Sequence, residues 1–313
     1  MTIDQAISEA AALLPGVDET EKRRTARLLL GHVLGVDRAG LIVRAHDSIQ
    51  IDQHDQYFVL VSRRVSGEPL QYITGHQEFF GLDFVVNPAV LIPRPETEFL
   101  VEEVLALAGR VGRNACAQTG ESTAPSAFGS PETVADRGKN LTIIDIGTGS
   151  GCIAVALATR IADARIIATD LSGEALDTAS LNAEKNRVGD RIEFVEGDLC
   201  DPLASLGLER SVDVIACNPP YVGMIDAPGL QKEVRDHEPA TALYGGAQGL
   251  SFYGRLLAQA PSYLKPGGYL VCEIGYGQSD VIAVMAGSND LELVKTTPDL
   301  QGIPRILTMR KKG

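Results

Sequence analysis

From residue 141 onward, short apolar runs alternate with stretches of helical periodicity, and this alternation constrains the fold more than any other feature. The apolar runs occupy 141–146, 164–170, 191–198, 212–218 and 268–275, and helical spacing recurs over 151–161, 173–187 and 250–264. Strands separated by helices form parallel sheets that are covered on both faces. We therefore predict an α/β domain with a mainly parallel sheet over 140–313, closed by an antiparallel pair at 291–299 and 305–310.

The preceding residues have a different pattern. Ala, Leu and Ile recur at helical spacing over 1–75, which predicts a small helical domain. Residues 76–111 predict a connector: a β-hairpin over 76–92 that turns at Asn87-Pro88, and a helix that begins near Pro95. Residues 112–139 are rich in Gly, Ser, Thr, Ala and Pro and lack periodicity, which predicts a flexible insertion.

Charge and cysteine content narrow the function classes. The 313-residue chain has a formal net charge of −13, whereas proteins that bind a phosphate backbone usually present a basic surface. It contains no apolar run of the length that a membrane span requires, and its start does not resemble a signal peptide. Five scattered cysteines (116, 152, 200, 217 and 272) without a CxxC pair predict free thiols in the cytoplasm and no metal site.

A glycine loop follows the first strand of the predicted sheet. In DIGTGSGC, residues 145–152, Gly147, Gly149 and Gly151 lie between a strand and a helix, where backbone must turn tightly and a ligand can approach closely. A dinucleotide fingerprint would place Gly or Ala at position 152, which is Cys, and no Gly-Lys-Ser/Thr phosphate loop is present. Asp145 would repel a phosphate but suits an ammonium or sulfonium group.

Polar residues end the next three strands. Asp170 follows the second strand, 23 residues beyond Gly147, which is close to the usual offset of a carboxylate that binds ribose hydroxyls. Asp198 and Asn218 end the third and fourth strands. Each aspartate alone is more often a helix N-cap, but parallel strands bring all these groups to one edge of the sheet. The combination favours a ligand site.

The fourth strand runs into NPPY, residues 218–221. Two prolines cannot donate to a sheet ladder, so the strand must stop and the backbone is held nearly rigid. A rigid amide beside an aromatic ring can grip a flat group, but the same residues also make a strand terminator with a packed tyrosine.

Taken in order, DIGTGSG, ATDLS, GD and NPPY resemble the motifs of Rossmann-like S-adenosylmethionine-dependent methyltransferases over 141–310. The resemblance implies S-adenosyl-L-methionine as cofactor and S-adenosyl-L-homocysteine as product. It implies these cofactor-binding residues: Gly147, Thr148, Gly149, Ser150, Gly151, Asp170, Asp198, Leu199 and Asn218.

NPPY resembles the motif of methyltransferases that act on a nitrogen conjugated to a planar group: adenine N6, cytosine N4, guanine N2 or glutamine N5. By that resemblance Asn218, Pro219 and Tyr221 are catalytic and, with Pro220, bind the substrate. The Asn218 side-chain oxygen and the Pro219 carbonyl would accept hydrogen bonds from the target N–H groups, and Tyr221 would pack on the flat face. Positioning, rather than a strong base, would supply most of the acceleration.

Residues 67–102, with PLQYITG and LIPRPETE, and the later segments 237–257 and 267–278 resemble the PrmC/HemK family over nearly the whole chain. That family methylates glutamine N5 in the GGQ motif of class I peptide chain release factors, which modulates translation termination. The resemblance implies a release factor as protein partner, gripped by the helical domain, without direct nucleic acid or membrane partners. Arg94 and Glu98 are further candidates for lining the site, although a loop salt bridge explains them equally well.

Four alternatives stay open at this point. A sister family methylates a glutamine of a ribosomal protein and shares NPPY and the domain plan. A nucleic-acid adenine N6-methyltransferase is opposed by the acidic composition, and a dehydrogenase by Cys152. A cofactor-binding assembly factor without turnover is the non-enzymatic alternative.

Overall fold

The chain forms two compact units in a computed structural model that describes residues 1–119 and 141–313. The first unit comprises Met1–His76 together with Leu230–His237, and the second comprises Gln77–Gly229 and Glu238–Gly313. Each unit has its own apolar core. In the part of the chain that is described, no helix has the length and apolarity to cross a bilayer.

The first unit is helical. Its helices are α1 (Ile3–Leu13), α2 (Glu19–Leu34), α3 (Arg38–Val43), α4 (Ile51–Val65), α5 (Leu70–Thr74) and, much later in the chain, α10 (Lys232–His237). Thr2 and Gln5 form a reciprocal capping box that fixes the start of α1. Gly35, at φ 64°, ends α2 in the left-handed conformation that favours glycine. Leu29, Leu30 and Tyr57 lie at the centre of the core.

The hairpin turns earlier than the sequence indicated. Its strands are β1 (His76–Phe79) and β2 (Leu82–Val85), and Phe80 and Gly81 between them have φ values of 55° and 75°. Two consecutive residues with positive φ make the two-residue turn whose twist matches a hairpin. The predicted Asn87-Pro88 turn lies after the hairpin, where Asn87 accepts hydrogen bonds from Ala89 N and Val90 N. The turn position in the sequence prediction was therefore wrong.

A long helix, α6 (Thr97–Thr119), follows the hairpin. The sequence predicted a flexible insertion over 112–139. The helix instead continues through residues 112–119 and ends at Thr119. The rest of the predicted insertion, from residue 120, lies outside the described residues.

The second unit is built on a seven-stranded sheet. Its strands are β3 (Thr142–Ile146), β4 (Arg165–Asp170), β5 (Ile192–Glu196), β6 (Val212–Cys217), β7 (Leu264–Glu273), β8 (Leu291–Pro298) and β9 (Pro304–Lys311). The strand order is β5-β4-β3-β6-β7-β9-β8. Only β9 runs against the others, since it pairs antiparallel with both of its neighbours. The mainly parallel sheet and the closing antiparallel pair confirm the predicted fold class.

Helices cover both faces of this sheet. The remaining helices are α7 (Cys152–Arg160), α8 (Gly173–Lys185), α9 (Asp201–Ser205), α11 (Ala240–Leu243), α12 (Ser251–Tyr263) and α13 (Ser279–Gly287). Ile143 belongs to the core beneath α6 and α7, whereas Ile144 and Ile146 belong to the core beneath α12, as the alternation of side chains along a strand requires. Cys152, Cys200, Cys217 and Cys272 are free and buried in these two cores.

Candidate active site

A cavity of about 680 Å³ lies at the carboxyl edge of the sheet. After β3 the chain proceeds outward to β4 and β5, and it then returns to place β6 on the other side of β3. Ligands of open α/β sheets bind at such a reversal, because the loops leave the two central strands in opposite directions. The loops after β3, β4, β5 and β6 all contribute to the lining, together with residues 89–97 and 241–255.

The glycine loop contains two kinds of glycine. Gly147, Gly149 and Gly151 have φ values of 70°, 54° and 80°, which disfavour residues that carry a Cβ. Among the described residues, a Cβ at Gly147 or Gly149 would meet no atom within 4 Å, and both glycines line the cavity. A Cβ at Gly151 would lie 3.0 Å from Ala179 Cβ. Gly147 and Gly149 therefore leave room for a ligand, whereas Gly151 lets α7 and α8 approach closely.

The Asp145 side chain is hydrogen-bonded to this loop and to the start of the helix that follows it. Its Oδ2 accepts hydrogen bonds from Thr148 Oγ1 at 2.7 Å and Ala154 N at 3.2 Å. Its Oδ1 is buried without a partner among the described residues. Burial above all, with a smaller contribution from the nearby Asp170, raises the pKa of Asp145 to about 7 against the opposing hydrogen bonds from Thr148 and Ala154. A buried carboxylate with an unused oxygen favours a cationic group near the loop.

Asp170 is held in place by main-chain amides. Gly149 N donates to Asp170 Oδ2 at 2.8 Å, and Ser172 N donates to Oδ1 at 3.0 Å. These bonds orient the carboxylate at the cavity lining and leave further lone pairs for hydroxyl donors.

Asp198 and Leu199 line the cavity beyond β5. Arg255 of α12, which the sequence analysis did not identify, pairs with Asp198 at 2.5 Å. Leu199 has a φ of 52°, a sparsely populated conformation for a residue with a side chain. Such conformations concentrate at sites where the chain must present a particular surface to a ligand.

Asn218 lies directly after β6 and lines the cavity. Its Nδ2 donates to Thr97 Oγ1 at 3.0 Å, and Thr97 Oγ1 donates to Glu273 Oε2 at 2.7 Å. Its Oδ1 is buried and has no hydrogen-bond partner in the described structure. A buried acceptor that is left unpaired costs free energy, about 1–3 kcal/mol, so its retention at a cavity indicates a donor that arrives with a ligand.

Comparisons with known proteins show the family of the chain. A family model described as "PrmC N-terminal domain" matches residues 5–75, and one described as "Methyltransferase domain" matches residues 137–300. The release factor glutamine methyltransferase of Koribacter versatilis is 40% identical over 311 residues, which cover 99% of each chain. That of Geobacter sulfurreducens is 40% identical over 279 residues, which cover 89% of this chain and 86% of the relative.

The chain belongs to the family of release factor glutamine methyltransferases. Among solved structures, the hMettl16 catalytic domain in complex with a MAT2A 3'UTR hairpin has a TM-score of 0.51 and is 19% identical over 80% of this chain and 81% of that one. At that identity the likeness shows the methyltransferase fold alone.

Not every residue that the sequence singled out reaches the cavity of this methyltransferase domain. Among the described residues, the lining leaves out Gly151, Pro219, Tyr221 and Glu98. Glu98 Oε1 accepts from Phe80 N at 2.8 Å and so fixes the hairpin turn. Tyr221 lies close enough to the Glu273 carboxylate for the two groups to act on each other electrostatically, and its ring lies 3.1 Å from the position of a Cβ at Gly275.

Arg94 lines the cavity of the methyltransferase domain but is also part of a buried ion pair. Its guanidinium lies 2.5 Å from Glu238 Oε1, and the Glu238 side chain is only 1% exposed. Glu238 Oε2 also accepts from Ile92 N at 3.4 Å. Both arginines of the described lining, Arg94 and Arg255, are thus paired with carboxylates, so neither is free for a pyrophosphate.

Proposed function

We propose that this protein transfers a methyl group from S-adenosyl-L-methionine to the side-chain amide nitrogen (N5) of the glutamine in the GGQ motif of class I peptide chain release factors. The observation that carries the proposal is the unpaired Oδ1 of Asn218 at the edge of the cavity. The family to which the chain belongs supports the choice of a release factor glutamine.

Asn218 provides what a primary amide needs in order to react at nitrogen. The nitrogen lone pair of an amide is delocalised into its carbonyl, which makes the group a poor nucleophile. Oδ1 accepts a hydrogen bond from one N–H of the glutamine, which holds the nitrogen and returns electron density to it. We assign the second N–H to the carbonyl of Pro219, which lies between two lining residues, Asn218 and Pro220.

Tyr221 has a supporting place in this proposal. The NPPY motif predicts that its ring packs on the flat face of the target amide, and that remains a prediction. Its main-chain carbonyl accepts from Gln278 Nε2 at 3.0 Å, and its hydroxyl lies under the electrostatic influence of the buried Glu273. Burial raises the pKa of Tyr221 well above its usual value, so Tyr221 serves as a neutral ring and hydrogen-bond donor rather than as a base.

The residues of the cavity fit S-adenosylmethionine. Gly147 and Gly149 leave open space at the end of β3 where the amino-acid part of the cofactor would lie, above the buried carboxylate of Asp145. Asp170 is oriented to accept from ribose hydroxyls, and Asp198 and Leu199 would border the adenine. When bound, the cofactor supplies an electrophilic methyl group on a positively charged sulfur. The residues of the chain hold, orient and exclude water around the two reactants.

The helical unit is proposed to bind the body of the release factor. Several of its apolar side chains are exposed, among them Ile42, Val43 and Ile51. Contacts away from the reacting group suit a substrate that is itself a folded protein. Release factors act on ribosomes, so we place the reaction in the cytoplasm.

Mass spectrometry of an unmodified release factor tests the proposal. The factor is incubated with S-adenosylmethionine and either the wild-type protein, Asn218→Ala or Asn289→Ala. Asn289 lies just after α13, and its loss is the matched control for removing an asparagine amide. We expect one added methyl group on the GGQ glutamine with the wild type and Asn289→Ala, and at least a roughly 100-fold slower reaction with Asn218→Ala.

A parallel titration with S-adenosylhomocysteine shows whether each variant still binds the cofactor product. A wild-type protein that binds this compound but leaves the GGQ glutamine unmethylated would refute the release-factor assignment. Methylation of a ribosomal-protein glutamine or of an adenine in the same assay would identify the competing substrate class.

A further inference from the structure

Two buried polar side chains from distant parts of the chain, Thr97 and Glu273, form a hydrogen-bonded series with Asn218. Thr97 begins α6, Glu273 ends β7, and each is 1% exposed. The Thr97 hydroxyl lies 2.7 Å from Glu273 Oε2 and 3.0 Å from Asn218 Nδ2. We propose that Thr97 and Glu273 are positioning residues that fix which end of the Asn218 amide faces the substrate. This inference rests on the proposed function, because it concerns how Asn218 presents its acceptor to the glutamine.

The direction of each bond follows from the chemistry of the groups. An ionised carboxylate only accepts hydrogen bonds, so the Thr97 hydroxyl must donate its one hydrogen to Glu273. The Thr97 oxygen then has only lone pairs to offer. These lone pairs accept from the NH₂ end of Asn218 and repel its oxygen end. The Asn218 oxygen is therefore directed away from Thr97. A flipped amide would present N–H groups to the N–H groups of the glutamine, and the substrate would lose its acceptor.

The wider surroundings of Glu273 support this assignment. Apart from Thr97, the titratable and charged groups that act on it or are influenced by it are Glu96, Arg305, Tyr221, Cys152 and Tyr253. Tyr221 and Glu273 also act on each other electrostatically, and the Tyr253 hydroxyl donates to the main-chain carbonyl of Glu273 at 2.7 Å. Two residues of NPPY are therefore linked to this carboxylate, Asn218 through Thr97 and Tyr221 by its proximity.

Protonation of Glu273 should disturb the series. The pKa of Glu273 is raised to about 7, mainly by burial and also by Glu96, against the opposing effects of Thr97, Arg305 and Tyr221. A neutral carboxyl can donate to the Thr97 oxygen, which frees the threonine hydrogen to turn toward Asn218. The oxygen end of the amide then becomes the better partner for Thr97, and the methyl acceptor loses its hydrogen bond. Turnover should therefore rise with pH as Glu273 ionises.

Thr97→Val and Thr97→Ser separate positioning from mere packing. Valine keeps the shape of threonine but removes the hydroxyl, and serine keeps the hydroxyl. We expect Thr97→Val to lower kcat roughly 10- to 100-fold, because a misplaced acceptor costs rate rather than affinity, while KM for the release factor and the Kd of S-adenosylhomocysteine stay within about threefold. Thr97→Ser should retain most of the wild-type kcat. A folded Thr97→Val protein with wild-type kcat would overturn the proposal.

A double-mutant cycle on kcat distinguishes a residue that acts through Asn218 from one that only contributes to packing. If Thr97 acts only through Asn218, Thr97→Val should change kcat little in the Asn218→Ala background. Fully additive effects would refute the inference. Glu273→Gln is the second variant in case Thr97→Val fails to fold: it should abolish the rise of kcat with pH near neutrality, and an unchanged pH profile would contradict the role of Glu273.

Nuclear magnetic resonance tests the inference apart from turnover. The Nδ2 protons of Asn218 should exchange slowly with water in the wild type and markedly faster in Thr97→Val, with Thr97→Ser resembling the wild type. Equal exchange in all three proteins would refute positioning by Thr97. If the wild type leaves the GGQ glutamine unmethylated but shows the expected exchange pattern, the proposed substrate fails while the assignment of Thr97 holds.

Discussion

Gly151→Ala and Gly147→Ala should affect different properties of the protein: the first its stability, the second its affinity for the cofactor product. Gly151 and Gly147 have positive φ values, 80° and 70°. An alanine in this left-handed conformation costs about 1–2 kcal/mol in either place. Both substitutions also reduce the conformational entropy of the unfolded chain by a similar amount. They differ in surroundings. A Cβ at Gly151 would lie 3.0 Å from Ala179 Cβ and 3.1 Å from Ala179 Cα, whereas one at Gly147 would meet nothing within 4 Å.

The shared costs cancel when the two variants are compared. The difference in unfolding free energy is then the crowding at Ala179, about 1–3 kcal/mol for an extra methyl group in a packed interior. Gly151→Ala should therefore be the less stable of the two by that amount. Gly147→Ala should instead weaken S-adenosylhomocysteine binding by roughly tenfold or more, about 1.4 kcal/mol, because its Cβ projects into space that the ligand needs.

Urea unfolding followed by circular dichroism measures the first quantity, and calorimetric titration with S-adenosylhomocysteine measures the second. Equal unfolding midpoints for the two variants would refute the packing role of Gly151. Equal affinities, both at the wild-type value, would show that the loop glycines do not border the bound cofactor.

Two further predictions concern buried charges. Arg94→Leu should lower the free energy of unfolding by about 1.5–3 kcal/mol, because it removes a hydrogen bond to the buried carboxylate of Glu238, whereas Arg165→Leu, which breaks an exposed pair with Glu193, should change it by less than about 0.5 kcal/mol. Similar urea midpoints for the two variants would contradict this reasoning. The folded pKa of Asp145, about 7, exceeds the ordinary value of 3.8, so burying its carboxylate destabilises the protein progressively as pH rises between those values and no further above pH 7. Asp145→Asn cannot ionise, and its stability relative to the wild type should therefore rise from pH 5 to pH 8 in urea unfolding. Parallel pH curves for the two proteins would show that Asp145 does not titrate in this range.

Much of the fold follows from local pattern. The runs 141–146, 164–170 and 212–218 correspond to β3, β4 and β6 within one or two residues, because buried parallel strands are apolar on both faces and end sharply at Gly, Asp or Asn. Turn residues were a poorer guide to the hairpin. The Asn87-Pro88 signal placed its turn at a proline, whereas the turn lies at Phe80-Gly81, since a phenylalanine with positive φ has no sequence signal.

Some residues of the candidate site could be recognised from the sequence, and others only from the structure. The sequence could place Gly147, Asp170 and Asn218 at the cavity because each ends or directly follows a strand, and the sheet then brings them to one edge. Thr97 and Glu273 are separated by 176 residues, and each looks like an ordinary helix start or strand end. Only the packing of α6 against the sheet brings them together, so no local pattern could have assigned their shared role.

The helical unit is discontinuous, and this has an evolutionary consequence. Leu230–His237 comes after NPPY in the chain but belongs to the same compact unit as Met1–His76, where Glu233 pairs with Arg64. A domain that lies wholly before its neighbour can be gained, lost or exchanged by recombination at a single junction. This unit would require coordinated changes at two distant places, the second of them between NPPY and Glu238. The two segments of the helical unit must therefore stay compatible with each other, and a chimaera joined only at residue 76 should combine mismatched halves of one domain.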